Sequence, residues 1–180
     1  MFNTILVHDK YFVPYLTEEE IVEKVKDLAE KINQDYKDKR PLFISILNGS
    51  FMFSADLFKY LTIEVEICFI KLASYKGTRS SGQVITAIGL DIDITGRDII
   101  ILEDIIDTGK TLNQFLPQVH NQQPLSLKIA ALLHKPEAIV FPVTIDYICF
   151  TIPNKFVVGY GLDYNGLGRN LSKLYQLKED

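Results

Sequence analysis

The chain has 180 residues, 47% of them hydrophobic, with a formal net charge of −4, which suits one globular domain over residues 1–180 with a sizeable core and leaves no length for a second. A pI near 5.4 argues against extended contact with nucleic acid or an anionic membrane, both of which want a basic face. No apolar run approaches the ~18 residues of a membrane span, and Met1-Phe2-Asn3-Thr4 lacks the basic and apolar regions of a signal peptide, so a cytoplasmic protein is expected.

Thr17-Glu18-Glu19-Glu20 has the spacing of a capping box, and Ile21, Val25, Leu28 and Ile32 repeat at helical spacing to about Asp35. Leu42 to Leu47 reads as a buried strand, Asn48-Gly49-Ser50 as a turn and Phe51 to Leu61 as a second helix. Glu64 to Ala73 alternates Val65, Ile67 and Phe69 with Glu64, Glu66 and Cys68, the pattern of a strand with one more exposed face. Ser74 to Gln83 is too polar to pack and long enough to move, a candidate lid. Strands follow at Val84 to Leu90 and Ile99 to Leu102, then a helix from Gly109 to Leu116 that Pro117 should end, then strands at Lys128 to Leu133, Tyr147 to Thr151 and Phe156 to Val158. This order predicts an α/β fold, an open and mostly parallel sheet flanked by helices, whose ligand crevice lies at the carboxyl ends of the strands. Cys68 and Cys149 sit alone in apolar runs and read as buried free thiols rather than a metal or redox motif. Internal repeats and linkers are absent.

The segment Ile99 to Leu112, Ile-Ile-Ile-Leu-Glu-Asp-Ile-Ile-Asp-Thr-Gly-Lys-Thr-Leu, carries the chemistry. A β-branched strand ends in two adjacent carboxylates, Glu103 and Asp104. Thr108, Gly109, Lys110 and Thr111 then open a helix, whose free N–H groups face the same crevice and suit an anion. Gly109-Lys110-Thr111 resembles the end of a nucleotide-triphosphate loop, G-x-x-x-x-G-K-[ST]. However, the first glycine of that pattern falls on Asp104, whose charge would repel the phosphates. Carboxylates before an Asp-Thr-Gly loop make better sense as acceptors for ribose hydroxyls, with the loop holding a 5′-phosphate.

That combination resembles the phosphoribosyl pyrophosphate (PRPP) signature of the type I phosphoribosyltransferases. Leu132-Leu133-His134-Lys135, the run Asn154 to Asn165 and Arg169 are similar to the purine-binding half of the hypoxanthine-guanine branch, and the likeness covers about Leu42 to Leu174. The resemblance implies a five-stranded core sheet with a small hood made from the termini. It implies a purine-salvage transferase that joins hypoxanthine, and guanine, to PRPP with magnesium (Mg2+), giving IMP or GMP and pyrophosphate, in a homodimer or homotetramer. By the same likeness Glu103, Asp104, Asp107, Thr108, Gly109, Lys110 and Thr111 hold the ribose phosphate. Asp107 is the proton acceptor at purine N7. Lys135, Phe156, Val157 and Asp163 meet the base, and Asp163, with Glu103 and Asp104 as further candidates, meets Mg2+. Asn48, Gly49, Ser74, Tyr75 and Arg169 meet pyrophosphate.

Each residue also has a plainer reading. Glu103 and Asp104 could be a solvated strand end, although two like charges held at the mouth of a crevice make more sense if hydroxyls or a metal satisfy them. Asp107 could be only a helix N-cap, and Lys135 a snorkelling surface lysine. As a ligand, an ammonium has donors and no acceptor and so would select 6-oxo over 6-amino purines. Phe156 reads by composition as a core aromatic, Asp163 as a turn residue and Arg169 as an exposed structural arginine. His8, His120 and His134 have no partners at catalytic spacing. The chain departs from better-known members at Asn48, where they carry Lys before glycine, often with a cis peptide before that glycine, and at Ala73, where they carry a second lysine. Pyrophosphate binding would then lean on Mg2+, backbone N–H groups, Lys71, Arg79 and Arg169. A nucleic-acid-binding regulator that keeps this fold is the alternative, against which the acidic balance counts.

Overall fold

The computed structural model describes residues 4–74, 84–88 and 92–179. Its main sheet contains β3 (Leu42–Leu47), β4 (Glu66–Ser74), β5 (Val84–Ile88), β6 (Asp98–Ile106), β7 (Ser126–His134) and β8 (Tyr147–Thr151). They lie in the order β5-β4-β3-β6-β7-β8. Five of these strands run parallel, and β5 joins β4 antiparallel at one edge. Leu42, Phe43 and Ile44 on β3 and Ile99 to Leu102 on β6 are fully buried, as continuous apolar runs are when helices cover both faces of a parallel sheet.

Helix α1 (Glu18–Asp35) turns Ile21, Val25, Leu28 and Ile32 onto one face of that sheet, beside Phe53 and Leu57 of α2 (Phe51–Phe58). Helix α3 (Lys110–His120) covers the other face with Leu112, Phe115 and Val119. The hood is a second, antiparallel sheet in the order β1-β2-β10-β9, built from β1 (Ile5–Val7), β2 (Lys10–Leu16), β9 (Val157–Val158) and β10 (Leu174–Leu177). Val157 packs in the main core and Val158 in the hood's own cluster with Val7 and Phe12, so β9 joins the two sheets. No helix among the described residues is long and apolar enough to cross a membrane.

Three boundaries differ from the sequence expectation by three residues or more. Strand β6 runs four residues past Leu102, because Ile105 and Ile106 continue to pair with Leu133 and His134 of β7. Helix α3 passes through Pro117 to His120; the proline removes one internal hydrogen bond, but buried Phe115 and Val119 hold the helix to the sheet on either side of it. Helix α2 closes at Phe58 rather than Leu61, the chain leaving it through Tyr60 N–H donating to the Leu57 carbonyl. Of the hood strands only β9 was expected, at Phe156 to Val158; β2 escapes the sequence pattern because it carries Pro14, and its pairing with β10 shifts register between Leu174 and Tyr175. Cys68 and Cys149 are both free and only partly buried.

The Thr17 side chain accepts from Glu20 N–H at 3.2 Å while the Glu20 carboxylate accepts from Thr17 N–H at 2.8 Å, a complete capping box. Thr17→Ala should therefore lower unfolding free energy by about 1 kcal/mol. Urea unfolding measures this, and an unchanged midpoint would mean that the buried stripe of α1 alone fixes where it begins.

Candidate active site

The site begins where two strands part. Strand β3 pairs with β6 only as far as Ser45 opposite Leu102, while its pairing with β4 continues to Leu47 opposite Lys71. Beyond Ser45 the chain lifts away from β6 into the Asn48-Gly49 turn and opens a cavity of about 330 Å³, lined by Gly49, Glu103, Asp104 and residues 105–112 among others. Gly49 closes over Asp104 so tightly that a Cβ on it would lie 1.6 Å from Asp104 Oδ2. The cis peptide here joins Leu47 to Asn48, one bond earlier than the resemblance implied.

The loop after β6 turns on Gly109, whose φ of +76° is open chiefly to glycine and whose added Cβ would meet the Phe141 carbonyl at 2.2 Å. The Thr108 carbonyl accepts from Val140 and Phe141 N–H at 3.0 and 2.9 Å, and the Thr108 hydroxyl from Lys110 N–H at 3.3 Å. Helix α3 starts at Gly109 with no side chain from that cap, so its first-turn N–H groups after Lys110 remain available to an anion. Lys110 and Thr111 at this start are exposed.

A second cavity of about 220 Å³ is lined by Asp104, Ile105, Asp107, Lys135, Phe156, Val157, Leu162 and Asp163. It shares Asp104, Ile105 and Asp107 with the first, so the two are halves of one crevice. Lys135 is only 5% exposed and donates to Asp107 Oδ2 at 3.2 Å, which overturns the snorkelling reading. Asp107 is not the helix cap, a place taken by Gly109. Phe156 is 44% exposed, so it is no core residue; its ring is backed by Tyr164 edge-on at 5.8 Å and by Phe12 at 6.2 Å. Ile105, Gly161 and Leu162 went unassigned in the sequence. Only Gly161 carried a signal, the Gly-Tyr-Gly run at 159–161.

Asp163 is both a turn residue and a wall of the crevice: Oδ2 accepts from Gly166 N–H at 2.7 Å and Oδ1 pairs with Arg169 Nη2 at 2.5 Å. Arg169 also donates to the Gly161 carbonyl at 2.7 Å, which ties it to the 161–166 loop. Asn48 and Lys71 are exposed. Ser74 ends β4, whereas Tyr75, Arg79 and the rest of the candidate lid lie outside the described residues.

Glu103 lies inside β6 and is 5% exposed. Burial drives its carboxyl well above the usual range and the Asp104 charge adds to that. Burial likewise pushes Asp104 up to about 6, against the pull of backbone N–H groups and Arg169. Loss of solvent outweighs the mutual repulsion that the sequence suggested. Among the described residues no three His, Cys, Asp or Glu side chains converge as a metal cage. The crevice instead offers hard oxygen, with Asp104 and Asp163 on one cavity and the Asp163 charge felt at Asp104. That donor set fits Mg2+, which takes one or two carboxylates and fills its shell with water and substrate phosphates.

Known proteins resemble this chain along most of its length. A model of the phosphoribosyl transferase domain matches residues 15–165. The hypoxanthine-guanine phosphoribosyltransferase of Streptococcus pyogenes serotype M3 is 46% identical over 165 residues, 91% of this chain and 92% of that protein. Hypoxanthine phosphoribosyltransferase from Trypanosoma cruzi, solved in complex with the product IMP, superposes with a TM-score of 0.87 at 38% identity, covering 97% of each chain. A further structure of the T. cruzi enzyme, 40% identical with a TM-score of 0.85 and covering 92% of this chain and 90% of that one, concerns the role of its C-terminal region in oligomeric state and activity.

The folded protein keeps the Asp104 proton to about pH 6, whereas the free side chain loses it near 3.8. Stability should therefore fall as pH rises through that window, by on the order of 2–3 kcal/mol from this group. Asp104→Asn should be more stable than the parent at pH 7, should lose that advantage below pH 4, and should show a shallower pH slope. Melting temperatures of the unliganded proteins from pH 4 to 8 measure this, and identical slopes would mean that Asp104 stays solvated.

Proposed function

The chain belongs to the phosphoribosyl transferase domain family, and on that premise we propose that it transfers the 5-phosphoribosyl group of PRPP to N9 of a 6-oxopurine, hypoxanthine or guanine, releasing pyrophosphate. One observation carries the choice of base. A 6-oxopurine presents on one edge an acceptor, O6, beside a proton-bearing ring nitrogen, N7. The crevice presents an ammonium donor beside a carboxylate acceptor, Lys135 and Asp107, 3.2 Å apart. A 6-amino group would set a donor against the ammonium, so adenine is disfavoured by an unpaired buried donor rather than by shape.

The 5′-phosphate sits on the N–H groups of Thr108 to Thr111 at the start of α3, and Glu103 and Asp104 accept from the ribose hydroxyls. The base lies on the exposed ring of Phe156, with the Val157 backbone at its edge. Pyrophosphate faces the Asn48-Gly49 turn and Arg169, with Ser74 and Tyr75 as further contacts. As pyrophosphate leaves, positive charge grows at ribose C1. The chain's part is to hold N9 in line, to take the N7 proton on Asp107, and to keep the reacting groups fixed. Mg2+, held by Asp163 and Asp104 with substrate oxygens, would neutralise pyrophosphate charge. By likeness to its relatives we expect a cytoplasmic homodimer or homotetramer, which light scattering checks. No specific observation favours the nucleic-acid-binding regulator.

Steady-state assays with hypoxanthine, guanine, xanthine, adenine and uracil test the reaction. Lys135→Gln should reduce kcat/KM for hypoxanthine by the equivalent of ~1–3 kcal/mol while PRPP affinity barely changes; wild-type kcat/KM would move the base elsewhere. Asp107→Asn should lower kcat by roughly 10²-fold or more with folding intact. Because that change also strips Lys135 of its partner, base affinity should weaken with it, and a variant with full kcat would end the acid–base assignment. Asn48 supplies no charge to pyrophosphate, so affinity should depend steeply on free Mg2+, and Asn48→Lys should flatten that dependence. Superimposable Mg2+ titrations of pyrophosphate inhibition would show the side chain at 48 to be a bystander.

A further inference from the structure

We propose that three buried serines, Ser45, Ser50 and Ser54, form a directed hydrogen-bond relay that positions the Asn48-Gly49 turn for the pyrophosphate end of the substrate. The inference rests on the reading of the crevice given above and adds residues that none of its contacts includes. Ser45 sits in the middle of β3, with Leu42 to Ile44 before it and Ile46 after it, in a run that is otherwise entirely apolar. All three serines are at most 1% exposed. A hydroxyl in such a place is costly unless it is paired, and an alanine would suit the packing as well.

The pairing is complete and has one direction. Ser50 Oγ donates to the Ile46 carbonyl at 2.5 Å, while Ser45 Oγ lies 2.7 Å from Ser50 Oγ and 2.7 Å from Ser54 Oγ. Each hydroxyl has one proton. Since Ser50 spends its proton on Ile46, Ser45 must donate to Ser50 and Ser54 to Ser45. Ser50 stands at the N-cap of α2, where serine ordinarily caps its own helix, yet its side chain makes no cap bond. It reaches back to the strand instead.

The relay ends where β3 leaves β6. Ile46 is the first residue of β3 beyond its last pair with β6, and the turn it leads into is wedged on two sides. A Cβ on Gly49 would strike Asp104 Oδ2, and one on Gly161 would lie 2.0 Å from the Gly49 carbonyl. Gly49 and Gly161 meet backbone to backbone and only the Asp104 side chain can shift, so the height of the turn sets the room left to Asp104 and the spacing of the 161–169 segment that carries Asp163 and Arg169. The serines fix that height from α2. They are positioning residues and touch no substrate.

The test is an alanine series read by pyrophosphate calorimetry and by separate KM values for PRPP and hypoxanthine. Ser50→Ala and Ser45→Ala should weaken pyrophosphate binding and raise KM for PRPP by about 3- to 10-fold, the scale of one lost hydrogen bond. Ser54→Ala, one link further from Ile46, should do less, and KM for hypoxanthine should not move. Ser45→Cys, a weak donor of similar size, should recover part of the loss. Ser54→Ala keeps the test open if another variant fails to fold, since alanine favours its helix. Unchanged pyrophosphate affinity across the series would overturn the relay, as would PRPP and hypoxanthine KM values rising together with a falling melting temperature. A wild-type protein that forms no nucleotide and binds no pyrophosphate would instead overturn the reading of the crevice itself.

Discussion

Strand β6 has neighbours on both sides only up to Leu102, and from Glu103 to Ile106 it is held by β7 alone. The side of β6 from which β3 departs is therefore open, and every feature of the crevice follows from how that opening is filled. It lies at the point where the strand order reverses, with β3 leading outward to β4 and β6 leading the other way to β7 and β8. Ligands in open α/β sheets bind at such points because the two connecting segments diverge and leave space between them. Here the diverging segments are the Asn48-Gly49 turn on one side and the Thr108 to Thr111 loop on the other, both aimed at the same gap.

Placing acids inside that strand rather than after it has a thermodynamic consequence. At a solvated strand end a carboxylate costs the fold nothing. Within β6, Glu103 and Asp104 lose water, and the folded state holds their protons more tightly than the unfolded chain does. Ribose hydroxyls or a metal ion would lower that cost by supplying the partners that water no longer does. Lys135 is met by an opposite charge instead. Its ammonium is buried against the Asp107 carboxylate, so it is held in place for a carbonyl acceptor without being left alone in an apolar pocket.

The parts of this design that were legible in the sequence are those where local chemistry and structure coincide. The Thr17 box, the α1 stripe and the β3 run need no distant partner to be recognised, and the Glu103 to Thr111 motif is one unbroken stretch of chain. The residues of the base half lie between Lys135 and Asp163, and their relation to Asp107 was accessible only through the family likeness, since spacing alone left Lys135 on the surface and Phe156 in the core. What the pattern missed is what tertiary contacts decide. Pro117 should end a helix and does not, because Phe115 and Val119 are anchored on the sheet. Glu103 should end a strand and does not, because β7 continues alongside. Three serines separated by turns of polar and apolar residues carry no sequence signal at all, and their meeting depends on α2 folding back over β3.

Charge balance in the crevice bears on how a pyrophosphate could be held. Glu103, Asp104, Asp107 and Asp163 line its two halves, and among the described residues two of its basic groups are committed, Lys135 to Asp107 and Arg169 to Asp163 and the Gly161 carbonyl, while Lys110 stands exposed at the start of α3. Asn48 adds no charge at the turn. Among the described residues a pyrophosphate at the Asn48-Gly49 turn meets neutral pairs and acids rather than a basic cradle, so ion pairing to side chains there is limited. The forces that remain are the N–H dipoles at the start of α3 and along the Gly49 turn, and a divalent cation entering with the ligand's own oxygens. Dipoles act over short range and only when aimed. That requirement explains why the turn is built on Gly49 pressed against Asp104, with no side chain able to fit between them, and why its approach is fixed by buried hydroxyls instead of being left as an ordinary surface loop.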